Sequence, residues 1–362
     1  MVVAEAPDAP IRFFVAPSNF AGQGWQWAHA AQRHLDGVKA VAMAYHGAGE
    51  FGFPVDMSVP VSGYVFSKKW QARQREAVTA GFTHVGVEAE RHPFGRVFDQ
   101  SVETQVRQLL DAGVKVAFLS HGTDIRLPSR HAAMEEYSPY KDGLWPFTER
   151  AELESGDNLA MIARLEIPVF VSTPDLLVDV PHASWLPVIV EPEKWRSATQ
   201  PLHRGRPVVV HAPSGAIIKG SDLVDPIMQS LHEQGIVEYV RIQGVPADEI
   251  PEIYRNADIV LDQFRLGSYG VAACESLAAG RVVIGHVSRF VRDYVREHTG
   301  TELPIVEATA STLEATIRTI CADPQRYREL ASAGPEFVAA VHDGRASAAV
   351  LKTFLDPESD AA

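Results

Sequence analysis

The segment GSYGVAACESLAAGRVVIG, residues 267 to 285, holds a single carboxylate among glycines and small apolar residues. Gly267 and Gly270 allow the backbone to approach another group closely. A helix that starts near Val271 would point its free N–H groups at the same turn, which suits a phosphate. Glu275 lies about one helical turn further on, where its carboxylate can accept two hydroxyl hydrogen bonds, as from a ribose. The alternative is an acid in the first half of a helix that is favoured only by the macrodipole.

Lys219 places a positive charge near the end of another apolar strand. It follows VVVHAPS, residues 208 to 214, in the stretch HAPSGAIIKG. Ligands of parallel α/β sheets bind beyond the carboxyl ends of the strands, so Lys219 is a candidate for binding phosphate. Ser214 and Gly215 would bring backbone N–H groups to the same phosphates. The alternative is a solvated lysine at a helix start, and His211 is a weaker candidate that can be a strand-end histidine with a satisfied ring.

The loop APSNFAGQGWQWAH, residues 16 to 29, joins the first predicted strand to the first predicted helix. It lacks the third glycine of a dinucleotide fingerprint, because Trp27 stands in that place. Trp25 and Trp27 cannot both face one side of the helix, so one of them is predicted to lie in the core. A turn capped by the asparagine is the alternative to a binding loop. The candidates for contacts with a sugar or an acceptor are Asn19, Gly22, Gln23 and Gly24.

The segment FLSHGTDIRLPSRH, residues 118 to 131, is the richer N-terminal site. Its strand ends at His121, the candidate catalytic residue, which can donate to a sugar or to charge that develops in a reaction. Asp124 is a further candidate on the sugar side, but Asp124 and Arg126 can also form a loop ion pair that contributes little. The loop AERHPFG, residues 89 to 95, is a weaker candidate, with His92 beside two glutamates.

Near-continuous apolar strands alternate with helical stretches along the whole chain, which is typical of parallel sheets covered on both faces. A proline-broken segment, residues 185 to 195, separates two such series. The pattern predicts an α/β protein with two Rossmann-like, doubly wound domains, residues 1–187 and 188–344. A C-terminal helix near residues 345–357 is expected to pack back on the first domain. Two such domains in tandem are expected to face a central cleft at the carboxyl ends of their sheets.

Residues 206 to 285 resemble the C-terminal domain of GT-B glycosyltransferases of the retaining, family-4 type. The resemblance rests on KG at 219–220, on QGVPADEIPEIYRNADIVL and on the segment 267–285, which occur in the family's order. The family pattern is Glu, seven residues, Glu. Glu275 matches the second Glu, which binds the nucleotide ribose in that family. Gly267 stands where the first Glu contacts the donor sugar, and Ser268-Tyr269-Gly270 replaces the family's GFG.

The resemblance also implies roles around the diphosphate. In the family an Arg and a Lys before KG hold it. This chain keeps Lys219 and lacks the Arg, so Arg265 is a hypothetical replacement by position. Backbone groups at Gly270 and Val271 would complete the diphosphate site. The N-terminal glycine-rich loop lies close to the diphosphate and acceptor in the family, and a histidine comparable to His121 often contacts the sugar. The loop expected to read the base comprises Gln243, Gly244 and Val245.

The bulk composition narrows the classes of function. The chain has 362 residues, 46% of them hydrophobic and 22% charged, as in soluble globular proteins. The net charge of −13 argues against a long nucleic-acid surface. No apolar run reaches the roughly 18 residues of a membrane helix, and the N-terminus does not resemble a signal peptide. Two cysteines, Cys274 and Cys321, form neither a disulfide framework nor a zinc set, so a cytoplasmic protein is expected.

The resemblance implies a glycosyltransferase that moves a sugar from a nucleoside diphosphate sugar to an acceptor hydroxyl. The resemblance implies retention at the anomeric carbon. The chain has no Asp-x-Asp motif, so the reaction is expected to need no metal and no cofactor besides the donor. The acceptor can be a glycan, a lipid, a protein or a small metabolite. Three alternatives remain: a catalytically silent nucleotide-sugar-binding partner subunit, a GT-B-like sugar-nucleotide 2-epimerase, and a two-lobed protein that binds no nucleotide.

Overall fold

The computed structural model describes residues 1–46, 52–97, 100–213, 215–246 and 248–356. The chain divides into two compact units. Unit 1 comprises Met1–Arg126, Leu153–Ile189 and Gly344–Ala362, and unit 2 comprises Leu127–Glu152 and Val190–Asp343. The segment 127–152 therefore lies in unit 2, whereas the boundary expected at residue 187 assigns it to the N-terminal domain. Its side chains and carbonyl groups make hydrogen bonds with residues 265 and 266, which explains its placement.

Unit 1 contains, within the described residues, a sheet of seven parallel strands in the order β3-β2-β1-β4-β5-β6-β7. The central strands are almost fully buried apolar runs, as the sequence pattern predicts. The order along the sheet reverses between β1 and β4, which makes the sheet doubly wound. The strands are β1 (Ile11–Ala16), β2 (Val38–His46), β3 (Met57–Pro60), β4 (His84–Glu88), β5 (Lys115–Ser120), β6 (Val169–Val171) and β7 (Ser184–Trp185).

Helices flank this sheet, and the C-terminal helix belongs to unit 1. That helix contributes Leu351, Phe354 and Leu355 to the same buried cluster as Phe13 and Trp27, so it is part of the core of unit 1. The helices from the first half of the chain are α1 (Gln23–His34), α2 (Val61–Phe66), α3 (Lys68–Gly81), α4 (Val102–Asp111), α5 (Pro128–Met134) and α6 (Thr148–Leu165). Of these, α5 lies in unit 2, and α6 begins there and continues in unit 1.

Unit 2 contains, among its described residues, a sheet of five parallel strands in the order β12-β11-β10-β8-β9. Its strand order reverses between β8 and β10, so this sheet is also doubly wound. The core packs apolar strand residues such as Val209, Ile259 and Ile284 against the surrounding helices. The strands are β8 (Val208–His211), β9 (Glu238–Arg241), β10 (Ile259–Leu261), β11 (Val282–Gly285) and β12 (Ile305–Glu307).

Among the remaining helices, α12 (Arg289–Thr299) has local causes for its start and its end. It begins after Ser288, whose hydroxyl accepts the N–H of Val291, and it ends before Gly300, which has a φ of 69°. Among the helices that the structure describes, none is long and apolar enough to cross a membrane. The helices are α7 (Pro192–Trp195), α8 (Ala216–Lys219), α9 (Ser221–Glu233), α10 (Ile250–Asn256), α11 (Val271–Ala278), α12 (Arg289–Thr299), α13 (Leu313–Ala322), α14 (Pro324–Val341) and α15 (Arg345–Leu355).

Candidate functional site

The reversal point of the unit 2 sheet brings Lys219 together with a carboxylate that the sequence analysis did not select. Lys219 Nζ donates to Asp262 Oδ1 over 2.6 Å. Lys219 ends α8, which follows β8, and Asp262 directly follows β10, the neighbouring strand across the reversal. Ligands of doubly wound sheets bind beyond the carboxyl ends of the strands at such a point. Lys219 therefore lies at the carboxyl edge of the sheet, as its position after β8 predicts, and its ammonium group is paired with Asp262.

The short helix α11 presents a free N-terminus at the same edge of the sheet. No side chain of the described residues caps it, so its first N–H groups remain available to an anion. A Cβ added to Gly270, the residue before the helix, would meet no heavy atom within 4 Å. The φ of −138° at Gly270 is open to other residues. Neither packing nor conformation therefore requires glycine there, whereas a close ligand would.

Glu275 is a half-buried carboxylate on α11, whose other face packs against the core. The described residues offer its side chain no hydrogen bond and no ion pair. Burial raises the pKa of Glu275 to about 8, against the opposing charges of Lys194 and Lys219 and with a further contribution from Asp262. A half-buried carboxylate without a partner is unfavourable, and hydrogen-bond donors from a ligand would stabilise its charged form.

The side chains of Arg265 and His211 both form hydrogen bonds with other residues of unit 2. Arg265 is buried; it donates to the carbonyl of Tyr137 over 2.9 Å and to Asp222 Oδ2 over 2.6 Å. His211 is also buried, with Nδ1 donating to the carbonyl of Leu261 and Nε2 accepting from Ser221. Burial lowers the pKa of His211 to about 4, so the ring is neutral. The structure thus gives Arg265 a bridging role in unit 2, and its diphosphate role stays a prediction.

The glycine-rich turn before α11 directs its side chains inward. Tyr269 is buried with its hydroxyl 3.3 Å from His342 Nε2, and burial raises its pKa well above the usual range. Ser268 is buried too, and its carbonyl accepts from Gln263 over 2.5 Å. Gly267 has a φ of 65°, a left-handed conformation that favours glycine. Contacts of this turn with a sugar, as expected from the sequence, would therefore involve backbone groups.

The other unit 2 candidates lie in loops at the carboxyl edge. Gln243, Gly244 and Val245 follow β9, with the first two exposed and the third half-buried. Gly215 precedes the four-residue helix α8. Ser214 lies outside the described residues. The predicted base-reading and diphosphate roles of these residues remain predictions.

Three further ionisable residues at this edge were missed by the sequence analysis. His286, directly after β11, places Nε2 2.8 Å from Glu135 Oε2 and Nδ1 2.7 Å from Glu307 Oε1. Hydrogen bonds to Glu135 and then Glu307 raise the pKa of His286 to about 9, so the ring is a cation at neutral pH. The positions of His286 and Glu307 at strand ends were a usable sequence signal. No comparable signal exists for Glu135, which follows α5.

In unit 1, His121 pairs with a buried carboxylate. His121 Nε2 donates to Glu88 Oε1 over 3.0 Å, and the side chain of Glu88 is 1% exposed. Glu88 Oε2 accepts the N–H groups of Ser18 and Asn19 over 3.1 and 2.8 Å. Glu88 ends β4 and Asn19 follows β1, so this pair also lies at the reversal point of its sheet. A histidine oriented by a buried carboxylate is suited to general acid–base chemistry.

The glycine-rich loop of unit 1 packs against the carboxylate of Glu88 and contributes mainly backbone groups to this site. A Cβ on Gly24 would lie 2.6 Å from the carboxylate of Glu88, so glycine is needed for that approach. Asn19 accepts the N–H of Trp25, and Gly22 has a φ of 75°. Gln23 is buried and exchanges two hydrogen bonds with the backbone of Ile189. Asn19 and Gly24 therefore both contact the carboxylate of Glu88, whereas the side chain of Gln23 binds the backbone of Ile189.

The remaining unit 1 residues have structural partners. Trp27 is the core tryptophan, fully buried with its Nε1 donating to the carbonyl of Pro187, and Trp25 is half-buried. Asp124 accepts the backbone N–H groups of His121 and Gly122.

Two further charged residues of unit 1, Arg126 and Glu90, lie in the loops that follow β5 and β4. Arg126 Nη2 pairs with Asp175 over 2.5 Å, which differs from the loop ion pair expected with Asp124. The side chain of Glu90 is buried beside Ser120, and burial together with the charge of Asp124 raises its pKa well above the usual range.

The family comparison bears on unit 2. Residues 216–337 match the family model described as glycosyl transferases group 1. These residues form a group 1 glycosyltransferase domain. It contains Lys219, Asp262, the turn before α11 and Glu275, and it identifies the chain as a transferase. The predicted resemblance is confirmed. None of the curated proteins searched matches the chain.

Solved structures confirm the fold. Sucrose-phosphate synthase from Thermosynechococcus elongatus matches with 13% identity over 97% of this chain and 99% of its own, at a TM-score of 0.60. HepE from Anabaena, in complex with UDP and glucose, matches with 14% identity over 95% of this chain and 99% of its own, also at 0.60. WaaG, a glycosyltransferase involved in lipopolysaccharide biosynthesis, matches with 13% identity over 95% and 99%, at 0.51. The predicted GT-B fold is therefore confirmed.

Proposed function

We propose that this glycosyltransferase takes its sugar from a nucleoside diphosphate sugar and transfers it to an acceptor hydroxyl. One observation carries the proposal: Lys219, the free N-terminus of α11 and the unpartnered carboxylate of Glu275 lie at the carboxyl edge of the unit 2 sheet, where its strand order reverses. A cation and free N–H groups suit a diphosphate, and a carboxylate without a partner suits a ribose diol. HepE, solved in complex with UDP and glucose, supports a ligand of this class.

The proposed chemistry uses protein groups to stabilise the leaving diphosphate. As the bond between the anomeric carbon and the phosphate oxygen breaks, negative charge grows on the diphosphate. Lys219 and the N–H groups of α11 are fixed before the reaction, so they stabilise this charge without reorganisation. We propose that no metal ion is required, because Lys219 and these N–H groups can offset the charge of the leaving diphosphate. The resemblance given above implies retention of configuration.

Thermal unfolding with UDP, GDP, ADP, CDP and TDP tests the donor site. A nucleotide at a hundred times its Kd should add about 2.7 kcal/mol to the free energy of unfolding. Lys219→Ala and Glu275→Ala should lose this ligand-induced increase. Lys219→Ala also leaves the buried Asp262 without its partner, so each variant is compared with its own unliganded form. Lys69→Ala and Glu336→Ala, both at exposed positions, serve as matched controls.

The outcome of this experiment discriminates among the functions considered. Stabilisation by one nucleotide, lost in both site variants and retained in both controls, supports the donor site and names the base. If no nucleotide stabilises the parent protein, the proposal is wrong. Product analysis then separates the alternatives: a silent partner subunit binds nucleotide without transfer or donor hydrolysis, and a 2-epimerase exchanges a substrate proton with solvent. Transfer in the presence of a chelator tests metal independence, and NMR of the product tests retention.

A further inference from the structure

The carboxylate of Glu135 occupies the space in which a side chain of residue 267 would begin. A Cβ built on Gly267 would lie 2.4 Å from Glu135 Oε1 and 2.8 Å from its Cδ. The φ of 65° at Gly267 separately disfavours every residue with a side chain. Conformation and packing therefore agree that residue 267 must be glycine while Glu135 holds this position. The consequence is a carboxylate placed directly against the turn that leads into α11.

A chain of charged groups fixes this carboxylate. Glu135 Oε2 accepts from His286 Nε2 over 2.8 Å, and His286 Nδ1 donates to Glu307 Oε1 over 2.7 Å. Glu307 Oε2 in turn accepts the N–H of Val287 and a guanidinium N–H of Arg292, over 2.8 and 3.0 Å. The two carboxylates raise the pKa of His286 to about 9, so the central ring carries a positive charge at neutral pH. Such charge-assisted bonds hold side chains in one orientation.

One oxygen of the Glu135 carboxylate, Oε1, receives no hydrogen bond from the residues that the structure describes. Oε2 is engaged by His286. The side chain of Glu135 is only 15% exposed, so solvent has limited access to it. Since the described residues supply no donor to Oε1, water or a ligand hydroxyl must supply one. The free oxygen is therefore suited to receive a hydroxyl group.

The turn places this oxygen near the proposed diphosphate site. Gly267 is three residues before Gly270, and three Cα–Cα steps span at most about 11 Å. A sugar bonded to a diphosphate at the N-terminus of α11 lies within that range. We infer that Glu135, through Oε1, binds a hydroxyl group of the donor sugar and so selects hexoses that carry that hydroxyl. This inference rests on the proposed function, because the diphosphate must bind at α11 for the sugar to reach Glu135.

Glu135, His286 and Glu307 have different roles in this proposed sugar site. Glu135 touches the sugar, while His286 and Glu307 are positioning residues that act through it. A carboxylate accepts hydrogen bonds and cannot donate them. The donor sugar must therefore offer an O–H at this point, and a deoxy or fluoro sugar at the same carbon would leave Oε1 unpaired. Sites that hydrogen-bond a substrate hydroxyl reject analogues that lack it strongly.

The test compares nucleotide with nucleotide sugar in the variant Glu135→Gln. Because the N–H of His286 holds the carbonyl oxygen of the glutamine, the –NH₂ group takes the place of Oε1, and an acceptor becomes a donor. Calorimetry measures the Kd of the nucleoside diphosphate that binds the parent and of its glucose, galactose, mannose and N-acetylglucosamine conjugates. We expect Glu135→Gln to bind the diphosphate within twofold of the parent and the tightest conjugate about tenfold or more weakly. Glu136→Gln, at the exposed neighbouring position, should change neither Kd.

The two proposals fail in different ways. If the parent binds no nucleoside diphosphate, the proposed function is wrong and the inference falls with it. If Glu135→Gln binds the diphosphate and the tightest conjugate as the parent does, the inference is overturned and the donor site stands. Glu135→Asp is a second variant, which keeps the charge but withdraws the carboxylate by one methylene, and it should show the same selective loss. Conjugates of deoxy sugars identify the hydroxyl that Glu135 binds. Removing that hydroxyl should weaken binding of the conjugate to the parent but not to Glu135→Gln.

Discussion

Glu275 makes a quantitative prediction about pH, because its pKa lies far above that of a free carboxyl. Burial is the main cause of the rise from 4.5 to about 8. In the unfolded chain the group loses its proton near pH 4.5, whereas the folded protein keeps it until about pH 8. Folding stability associated with this group is therefore fully present below pH 4.5 and is lost as the pH rises through 8. The variant Glu275→Gln removes the ionisation and keeps the size of the side chain.

The magnitude follows from the difference between the two pKa values. One pKa unit corresponds to about 1.36 kcal/mol, so the full change is worth about 5 kcal/mol between low and high pH. Glu275 is half-buried, and solvent lowers the effect, so we expect about 2–4 kcal/mol. At pH 5 the parent and Glu275→Gln should have nearly the same free energy of unfolding. At pH 8.5 the variant should be the more stable by this amount.

Urea denaturation between pH 5 and 9 measures the effect. Glu336→Gln is the matched control, because this glutamate is exposed on α14 of the same unit; it should follow the parent at every pH. If Glu275→Gln gains no stability over the parent at pH 8.5, Glu275 is not desolvated and the reasoning is refuted. The gain should accompany a loss of nucleotide binding of tenfold or more. Ribose hydroxyls stabilise the charged carboxylate, so nucleotide binding to the parent near pH 7 should also release a proton, which calorimetry in buffers of different ionisation enthalpy detects.

Three further predictions concern single positions. Gly270→Ala should lower the free energy of unfolding by no more than about 1 kcal/mol, the cost of alanine at an N-cap, because its methyl group meets no atom within 4 Å. It should weaken nucleotide binding in calorimetry, and unchanged binding would contradict a close phosphate. Gly24→Ala should cost about 1–3 kcal/mol in urea denaturation, since its methyl group would lie 2.6 Å from the carboxylate of Glu88; a stabilising effect would show that Glu88 does not lie against the loop. His121→Gln should bind nucleotide within twofold of the parent while transfer falls about a hundredfold or more, and full activity in a product assay would exclude His121 from the chemistry.

The sequence by itself determined the local elements and the order of the motifs. The apolar run VVVH predicted a buried parallel strand, and β8 forms there. Gly270 and the small residues after it placed the start of α11 at Val271. Lys219 and Glu275 could be proposed as candidates because strand ends and helix starts are local features, and the fold brings strand ends to one edge. Local patterns suffice for such elements because backbone sterics and burial act over a few residues.

Only the tertiary structure decided which charges meet. Asp262 holds Lys219, Asp222 holds Arg265 and Glu88 holds His121. Each of these pairs joins residues more than thirty positions apart, and nothing in the spacing of the chain predicts them. Partner choice depends on which strands become neighbours, which is a property of the whole sheet.

The segment 127–152 shows the same limit at the scale of a domain. Its residues follow β5 of unit 1 in sequence, yet they belong to unit 2, where Glu135 lies against Gly267. The sequence could show that residue 267 is a glycine, but not that a carboxylate 132 residues earlier takes the place of its side chain. Whether a loop packs on one sheet or another depends on small differences between long-range contacts, and local preferences do not encode them.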